Sequence, residues 1–105
     1  MKYDVIIIGA GPGGIFSAYE LTKHNENLKI AIFEAGHSLE KRHCPIDGKK
    51  ITSCIHCKSC SIMSGFGGAG AFSDGKYNIT NDFGGTLYEY IGKEKAIKLM
   101  HYVDD

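Results

Sequence analysis

Two short apolar runs stand out in the first third of the chain, and both are typical of β-strands in a parallel sheet. The first, Val5–Ile8, is β-branched and uninterrupted, as expected for a strand that is buried on both faces. The second, residues 28–33, ends directly before Glu34. Between the two runs, apolar positions at helical spacing predict a helix over residues 12–23. This order predicts a β-α-β unit over residues 1–35.

The pattern changes after residue 35. Residues 36–64 show no sustained hydrophobic period and are predicted to be mainly irregular, and residues 65–85 form a glycine-rich loop. Helical spacing returns over residues 86–105, with Gly92 as a break, and no capping residue closes that last helix. Two strands are also few for a doubly wound sheet. We therefore predict an α/β fold with an incomplete parallel sheet of the Rossmann type, and we expect the chain to be the first part of a larger protein.

A glycine-rich turn joins the first strand to the helix and matches the pattern G-x-G-x-x-G. Gly9 permits a tight turn, Gly11 lets the backbone approach a pyrophosphate, and Gly14 lets helix and strand pack closely. The start of the helix then presents backbone N–H groups and a positive dipole end to the phosphates. Placed between a strand and a helix, this turn predicts a dinucleotide-binding site.

A carboxylate stands where such a site requires one. Glu34 follows the second strand and lies 20 residues beyond Gly14, so it is predicted to accept hydrogen bonds from a ribose 2′-OH. The residues that follow it at 35–37 include no arginine for a 2′-phosphate. The alternative is an ordinary β-α-β unit with a glycine turn and a surface glutamate.

Charge and composition exclude several classes of partner. Twelve basic and twelve acidic residues balance among the 105, which argues against a nucleic-acid-binding surface. The apolar runs are too short to cross a membrane, and the first strand begins too early for a signal peptide. We therefore expect a cytoplasmic protein, in which cysteines are more often ligands or redox groups than disulfides.

All four cysteines fall in the irregular segment. Cys54, Cys57 and Cys60 form C-x-x-C-x-x-C, and Cys44 lies upstream of them. This spacing suits a [4Fe–4S] cluster, although the Cys-Pro pair precedes the triplet instead of following it. A zinc site, with His43 or His56 replacing one thiolate, is the second alternative. A flavin-coupled redox pair is the third, and free thiols in a loop are the fourth.

The motifs also carry a family resemblance. Residues 3–14 (YDVIIIGAGPGG), with FEAG at 33–36, resemble the FAD-binding start of the glutathione-reductase-like flavoproteins. Residues 67–76 (GGAGAFSDGK) are similar to a segment of the uncharacterised FAD-dependent dehydrogenases, also called NAD(FAD)-utilising dehydrogenases. The second motif is the more specific one. Members of that family are several times longer and carry a substrate domain downstream.

The resemblance implies a set of FAD contacts and a function. FAD would lie along the glycine turn, with its ribose on Glu34, a phosphate near Lys41 or Arg42, and its flavin near residues 65–85. The implied cofactor-binding residues are Gly9, Gly11, Pro12, Gly13, Gly14, Glu34, Arg42, Gly67, Gly68, Ser73, Asp74 and Lys76. For residues 73–76 a plain Asp-Gly turn is the alternative. NAD(P) would be an electron donor in the full-length protein.

Three functions compete at this point. The first is the FAD-binding portion of a flavin-dependent oxidoreductase, in which the flavin supplies the chemistry and no residue of this chain stands out as an acid, base or nucleophile. The second is a small, non-catalytic nucleotide- or metal-binding module that uses the cysteines. The third is a truncated reading frame without independent function. For the first we also expect self-association, or a missing C-terminal portion, to cover the exposed sheet.

Overall fold

The computed structural model describes residues 2–82 and 84–105, and Met1 and Phe83 lie outside the described residues. By contacts the chain divides into two compact units, Met1–Ser73 and Asp74–Asp105, and each is described by itself. The regular elements are, in chain order, β1 (Val5–Ile8), α1 (Pro12–His24), β2 (Ile30–Phe33), α2 (Leu87–Ile91) and α3 (Lys93–Asp104), with single 3-10 turns at Leu39–Lys41 and Ala69–Phe72.

The first unit is built on two parallel strands. β1 and β2 pair from Val5 opposite Ile30 to Ile8 opposite Phe33, and α1 forms the connection between them. Gly9 N–H then donates to Phe33 O at 2.7 Å, so the pairing continues into the glycine turn. The predicted β-α-β order and the parallel pairing are therefore confirmed. In the described residues the sheet has two strands, so the fold is a small α/β unit.

The second strand begins later than the sequence predicts. Lys29 is tied to Asp4 on both sides, because Lys29 N–H donates to Asp4 Oδ2 at 2.8 Å and Asp4 N–H donates to Lys29 O at 2.8 Å. The Asp4 carboxylate therefore accepts the Lys29 N–H that would otherwise donate to a carbonyl of the neighbouring strand. Regular strand geometry consequently starts at Ile30.

One face of the sheet is covered and the other is exposed. α1 packs on β1, and a side chain at Gly14 would lie 3.2 Å from Ile7 Cγ2. On the opposite face Ile6, Ile8 and Phe33 are 59%, 81% and 57% exposed. The expectation that β1 is buried on both faces is therefore wrong for the described chain, because one crossover helix covers only one side of a two-stranded sheet.

The second unit is a pair of helices separated at Gly92. Gly92 has φ 85°, a left-handed conformation that glycine adopts without a steric penalty. Its N–H donates to Tyr88 O at 2.9 Å and closes α2, and its carbonyl accepts from Ala96 N–H at 3.1 Å at the start of α3. Ala96 in α3 is fully buried. The break predicted at Gly92 is confirmed.

None of the helices in the described ranges combines the length and the apolar character that a membrane crossing requires.

Candidate functional site

The glycine turn leaves open space at the start of α1. Gly9 has φ 99°, which allows the chain to turn sharply at the end of β1. Cβ atoms built on Gly11 and Gly13 meet no heavy atom within 4 Å. Among the described residues no side chain caps α1 at Gly11, so its first N–H groups are not used by a cap. The turn therefore offers a helix N-terminus with room for an anion.

Gly14 has a different task from its neighbours. A Cβ at this position would overlap the carbonyl oxygen of Gly9 and would press on Ile7 Cγ2. The absence of a side chain therefore lets α1 lie directly against β1, as the sequence pattern predicts for the third glycine of the motif.

Glu34 ties the end of β2 to the glycine turn. Its Oε1 accepts the N–H of Ala10 at 2.9 Å, and its Oε2 accepts the N–H of Gly36 at 2.7 Å. These two hydrogen bonds, with smaller contributions from the charge of Arg42 and the backbone of Gly65, hold the pKa of Glu34 below its ordinary value. Glu34 is therefore an ionised acceptor near neutral pH, with a fixed position beside the turn.

The second glycine-rich segment folds back onto the first. Gly67 N–H donates to Ala10 O at 2.7 Å. A side chain on Gly68, which has φ 65°, would lie 3.3 Å from both Gly11 Cα and Pro12 Cδ. Because these backbones lie so close together, the two segments that the sequence assigns to FAD are neighbours in space.

Arg42 organises this second segment from within. It is 4% exposed, and its guanidinium donates to four backbone carbonyls at 2.7–2.9 Å. The guanidinium also lies 4.8 Å from the centre of the Phe72 ring. The four acceptors are the carbonyl oxygens of Ser61, Ile62, Phe66 and Gly68.

The phosphate contact expected for Arg42 stays a prediction, beside a structural role that these bonds show. At least four of the five N–H donors of a guanidinium point at the protein's own backbone. Arg42 therefore holds the loop. The sequence pattern gave no signal for this, since an arginine after a strand suits either role. Lys41 is exposed at the end of a 3-10 turn, and its phosphate contact stays a prediction.

A cavity of about 490 Å³ opens beside Glu34. Its size is within the range of small-molecule sites. Of the residues that line this cavity, only Glu34 is predicted from the sequence as a binding residue, because most of the others lie in the irregular stretch that follows β2. The other lining residues are Ile32, Gly36, His37, Ser38, Leu39, Glu40 and Phe66.

Residues 73–76 form an exposed turn. Asp74 Oδ1 accepts the N–H of Lys76 at 3.1 Å, and Asp74 Oδ2 lies 3.7 Å from Lys76 Nζ. These contacts are those of a local turn around Gly75. The flavin contacts expected for Ser73, Asp74 and Lys76 stay predictions.

The four cysteines line a second cavity, of about 240 Å³. All four are free thiols, with Cys54 and Cys57 exposed and Cys44 and Cys60 half-buried. Cys54 Sγ accepts the N–H of His56 at 3.4 Å. In the described ranges, no group of three or more His, Cys, Asp or Glu side chains is arranged so that it holds a metal ion as it stands.

The Cys60 thiol lies in an electropositive surrounding. The backbone N–H groups of Met63 and Ile62, with a smaller contribution from the charge of Arg42, lower the pKa of Cys60. The Cys60 thiol therefore ionises more readily than the thiol of an ordinary cysteine.

Known proteins resemble this chain over stretches that range from its N-terminal part to nearly its whole length. Residues 1–41 match the Thi4 family. The chain is 35% identical over 76 residues to an uncharacterized protein of Clostridium beijerinckii, covering 72% of this chain and 14% of that protein. It is 31% identical over 101 residues to a thiamine thiazole synthase of Candida albicans, covering 93% of this chain and 28% of the synthase.

A third relative is viral. A putative truncated GMC-type inactive oxidoreductase of Acanthamoeba polyphaga mimivirus is 50% identical over 38 residues, which cover 36% of this chain and 8% of that protein. The chain thus spans well under a third of the length of each of these relatives. No solved structure gives a significant match.

Proposed function

We propose that this chain is the FAD-binding portion of a flavin-dependent oxidoreductase, and that FAD binds along the turn at residues 9–14. One observation carries the proposal: the Glu34 carboxylate is fixed to Ala10 N–H at 2.9 Å, at the carboxyl ends of two parallel strands. Ligands of open parallel sheets bind at this edge. The bond places an ionised carboxylate directly beside a glycine turn and a helix N-terminus.

The pyrophosphate fits at the start of α1. Gly11 and Gly13 leave open space there, and a helix N-terminus attracts negative charge through its N–H groups and its dipole. A valine at position 11 would fill that space without touching any heavy atom at its Cβ. Position 11 therefore leaves room for a ligand group that lies close to the backbone.

The adenosine half fits the cavity beside Glu34. Its ribose would donate to Glu34, and its adenine would lie against the apolar lining, which includes Ile32, Leu39 and Phe66. Glu40 gives this cavity a second carboxylate. Two negative charges disfavour a 2′-phosphate, which supports FAD or NAD over NADP.

The flavin half is assigned to the glycine-rich segment. Gly67 and Gly68 lie against Ala10, Gly11 and Pro12, so a dinucleotide on the turn continues along this segment. FAD, when bound, supplies the redox chemistry, and the chain's own residues hold and orient it. Contacts from Ser73, Asp74 and Lys76 to the flavin edge belong to the same proposal.

The similar proteins support a flavin-binding class of protein more strongly than they support any particular reaction. A match to the Thi4 family and a GMC-type oxidoreductase relative both favour a flavin-related protein of the oxidoreductase type. The narrower dehydrogenase type, with NAD(P) as electron donor, rests on the likeness of residues 67–76 to the FAD-dependent dehydrogenases. The cytoplasmic location is part of this proposal.

Titration with FAD and with NAD tests the proposal. We expect FAD to bind more tightly than NAD, read out by flavin fluorescence and by calorimetry. Gly11→Val is expected to abolish FAD binding because its side chain fills the pyrophosphate position, while the urea midpoint of the ligand-free protein stays unchanged.

Three results would overturn it. Tighter binding of NAD than of FAD would remove the flavin assignment. A Gly11→Val protein that folds and still binds FAD would show that the ligand lies elsewhere. Metal binding without any binding of nucleotide would favour the competing metal-binding module.

A further inference from the structure

We propose that Cys44, Cys54, Cys57 and Cys60 together bind one metal centre through their thiolates. The shared chemistry is a soft metal held by sulfur, either a zinc ion or an iron–sulfur cluster. This site lies outside the dinucleotide site and does not depend on FAD.

The four cysteines line one cavity. The fold brings all four cysteines of the chain to the wall of one cavity of about 240 Å³, although Cys44 is well separated from the triplet along the chain. The rest of the wall is largely apolar and includes Pro45, Ile46 and Ile55. Four thiols gathered in an apolar surrounding are typical of a ligand set and not of surface thiols scattered in a loop.

A backbone hydrogen bond holds one of the sulfurs. Cys54 Sγ accepts His56 N–H at 3.4 Å. Such a bond orients a sulfur, as outer-shell partners do at metal sites. His56, between Cys54 and Cys57, has φ 55°, the one non-glycine residue of the described chain with positive φ. That left-handed residue turns the backbone sharply between Cys54 and Cys57.

The four thiols differ in exposure, and this difference indicates how the site would close around a metal. Cys54 and Cys57 are exposed on this turn, while Cys44 and Cys60 are half-buried. Metal binding draws the exposed pair toward the buried pair, and each thiol releases its proton to solvent as it becomes a ligand. No oxidant or reductant is consumed when zinc binds. A [4Fe–4S]2+ cluster forms without a redox step when it is supplied as two ferrous and two ferric ions with four sulfides.

Arg42 links this centre to the glycine-rich segment. Its guanidinium donates to Ser61 O and Ile62 O, directly after Cys60, and also to Phe66 O and Gly68 O. Fixing Cys60 therefore fixes the segment that lies against the glycine turn. A consequence, which rests on the proposed function, is that the metal-loaded protein binds FAD more tightly than the metal-free protein.

Metal analysis of the full chain tests the site without FAD. The protein is purified anaerobically, and zinc, iron, sulfide and visible absorbance are measured. The metal-free protein is also reconstituted with zinc alone or with iron and sulfide. We expect about one zinc, or about four irons and four sulfides with a broad visible absorbance, per chain. Bound metal should protect all four thiols from alkylation.

Variants identify the ligands. Cys57→Ser and Cys60→Ser are expected to lower metal occupancy by about tenfold or more. The matched control carries Ser53→Ala and Ser59→Ala, two exposed positions of the same segment, and should keep full occupancy. His56→Asn, which tolerates positive φ, should also keep the metal if all ligands are thiolates.

The proposal is overturned by any of three results. These are a protein that retains neither zinc nor iron after reconstitution, a Cys60→Ser protein with unchanged occupancy, or loss of metal in His56→Asn alone. FAD binding in a protein that fails these tests would leave the proposed function intact, so the two failures are distinguishable.

Discussion

Glu34 and Ala10 are joined by a hydrogen bond of 2.9 Å across 24 residues of sequence, from the backbone N–H of Ala10 to Oε1 of Glu34. The other carboxylate oxygen accepts Gly36 N–H at 2.7 Å. One side chain thus fixes the glycine turn to the segment that follows β2. Because the same carboxylate is the predicted ribose acceptor, it serves both the fold and the ligand.

Replacing Glu34 by glutamine is expected to weaken FAD binding by about tenfold or more. An amide offers one oxygen in place of two, so one of the two backbone bonds is lost, and bonds to a charged acceptor are the stronger kind. The measurement is a fluorescence titration with FAD. Glu26→Gln, in the exposed loop before β2, is the matched control and should bind like the parent. Equal affinity in both variants would contradict a role for Glu34.

The stability of the first unit should fall in acid, partly through Glu34. Its pKa in the folded protein is lowered, chiefly by the N–H of Ala10, so its contribution is fully present above the unfolded pKa. That contribution is lost as pH falls through the folded pKa. Asp47 and Glu40 also have lowered pKa values and add to the same trend.

Urea unfolding from about pH 7 to about pH 3 checks this expectation. Comparing the parent with Glu34→Gln isolates the contribution of Glu34 to the pH dependence of stability, because Asp47 and Glu40 are present in both proteins. The difference between the two proteins should shrink as the pH falls. A difference that stays constant over this range would show that ionised Glu34 contributes nothing to stability.

Two adjacent glycines of α1 should respond in opposite ways to alanine. Gly14→Ala places a methyl group against Gly9 O and Ile7 Cγ2 and should destabilise the protein by about 1–3 kcal/mol. Gly13→Ala points into open space, so stability should stay unchanged or rise by up to about 1 kcal/mol through helix propensity. Urea unfolding of the ligand-free proteins measures both. Equal effects would mean that α1 does not pack on β1 as described.

Arg42→Met is expected to destabilise the first unit by about 3 kcal/mol. The change leaves four half-buried carbonyl oxygens without their donor and removes the contact with the Phe72 ring. Arg42→Lys should recover only a small part, because an ammonium lacks the planar fork. Lys50→Ala, an exposed position, is the control. An Arg42→Met protein as stable as the parent would contradict the structural role and would favour the ligand-binding role that the sequence suggests.

The exposed face of the sheet should drive self-association. Ile6, Ile8 and Phe33 form an apolar patch, and such patches are usually covered by another chain or segment. Light scattering of the isolated chain is expected to show oligomers, and Ile8→Glu should shift them toward monomer. Thr22→Glu, on the exposed side of α1, is the control. A parent chain that is monomeric and unfolds cooperatively without ligand would contradict this prediction.

The sequence by itself determined the local elements of this protein. Hydrophobic periodicity and the backbone requirements of glycine act over a few neighbouring residues. They predict β1 at Val5–Ile8, the glycine turn, α1 to within one residue, and the break at Gly92. The parallel pairing followed as well, since one helix between two apolar strands leaves few other arrangements.

Only the tertiary structure decided what depends on distant parts of the chain. It placed Arg42 inside the glycine-rich segment, brought four cysteines to one cavity, formed the cavity beside Glu34 and left one sheet face exposed. The first three of these depend on how irregular backbone between residues 34 and 73 folds back on the β-α-β unit, and the exposed face remains because one crossover helix covers only one side of the sheet. Such a segment has no hydrophobic periodicity from which its structure could be predicted. Its path is set by hydrogen bonds between residues far apart in sequence.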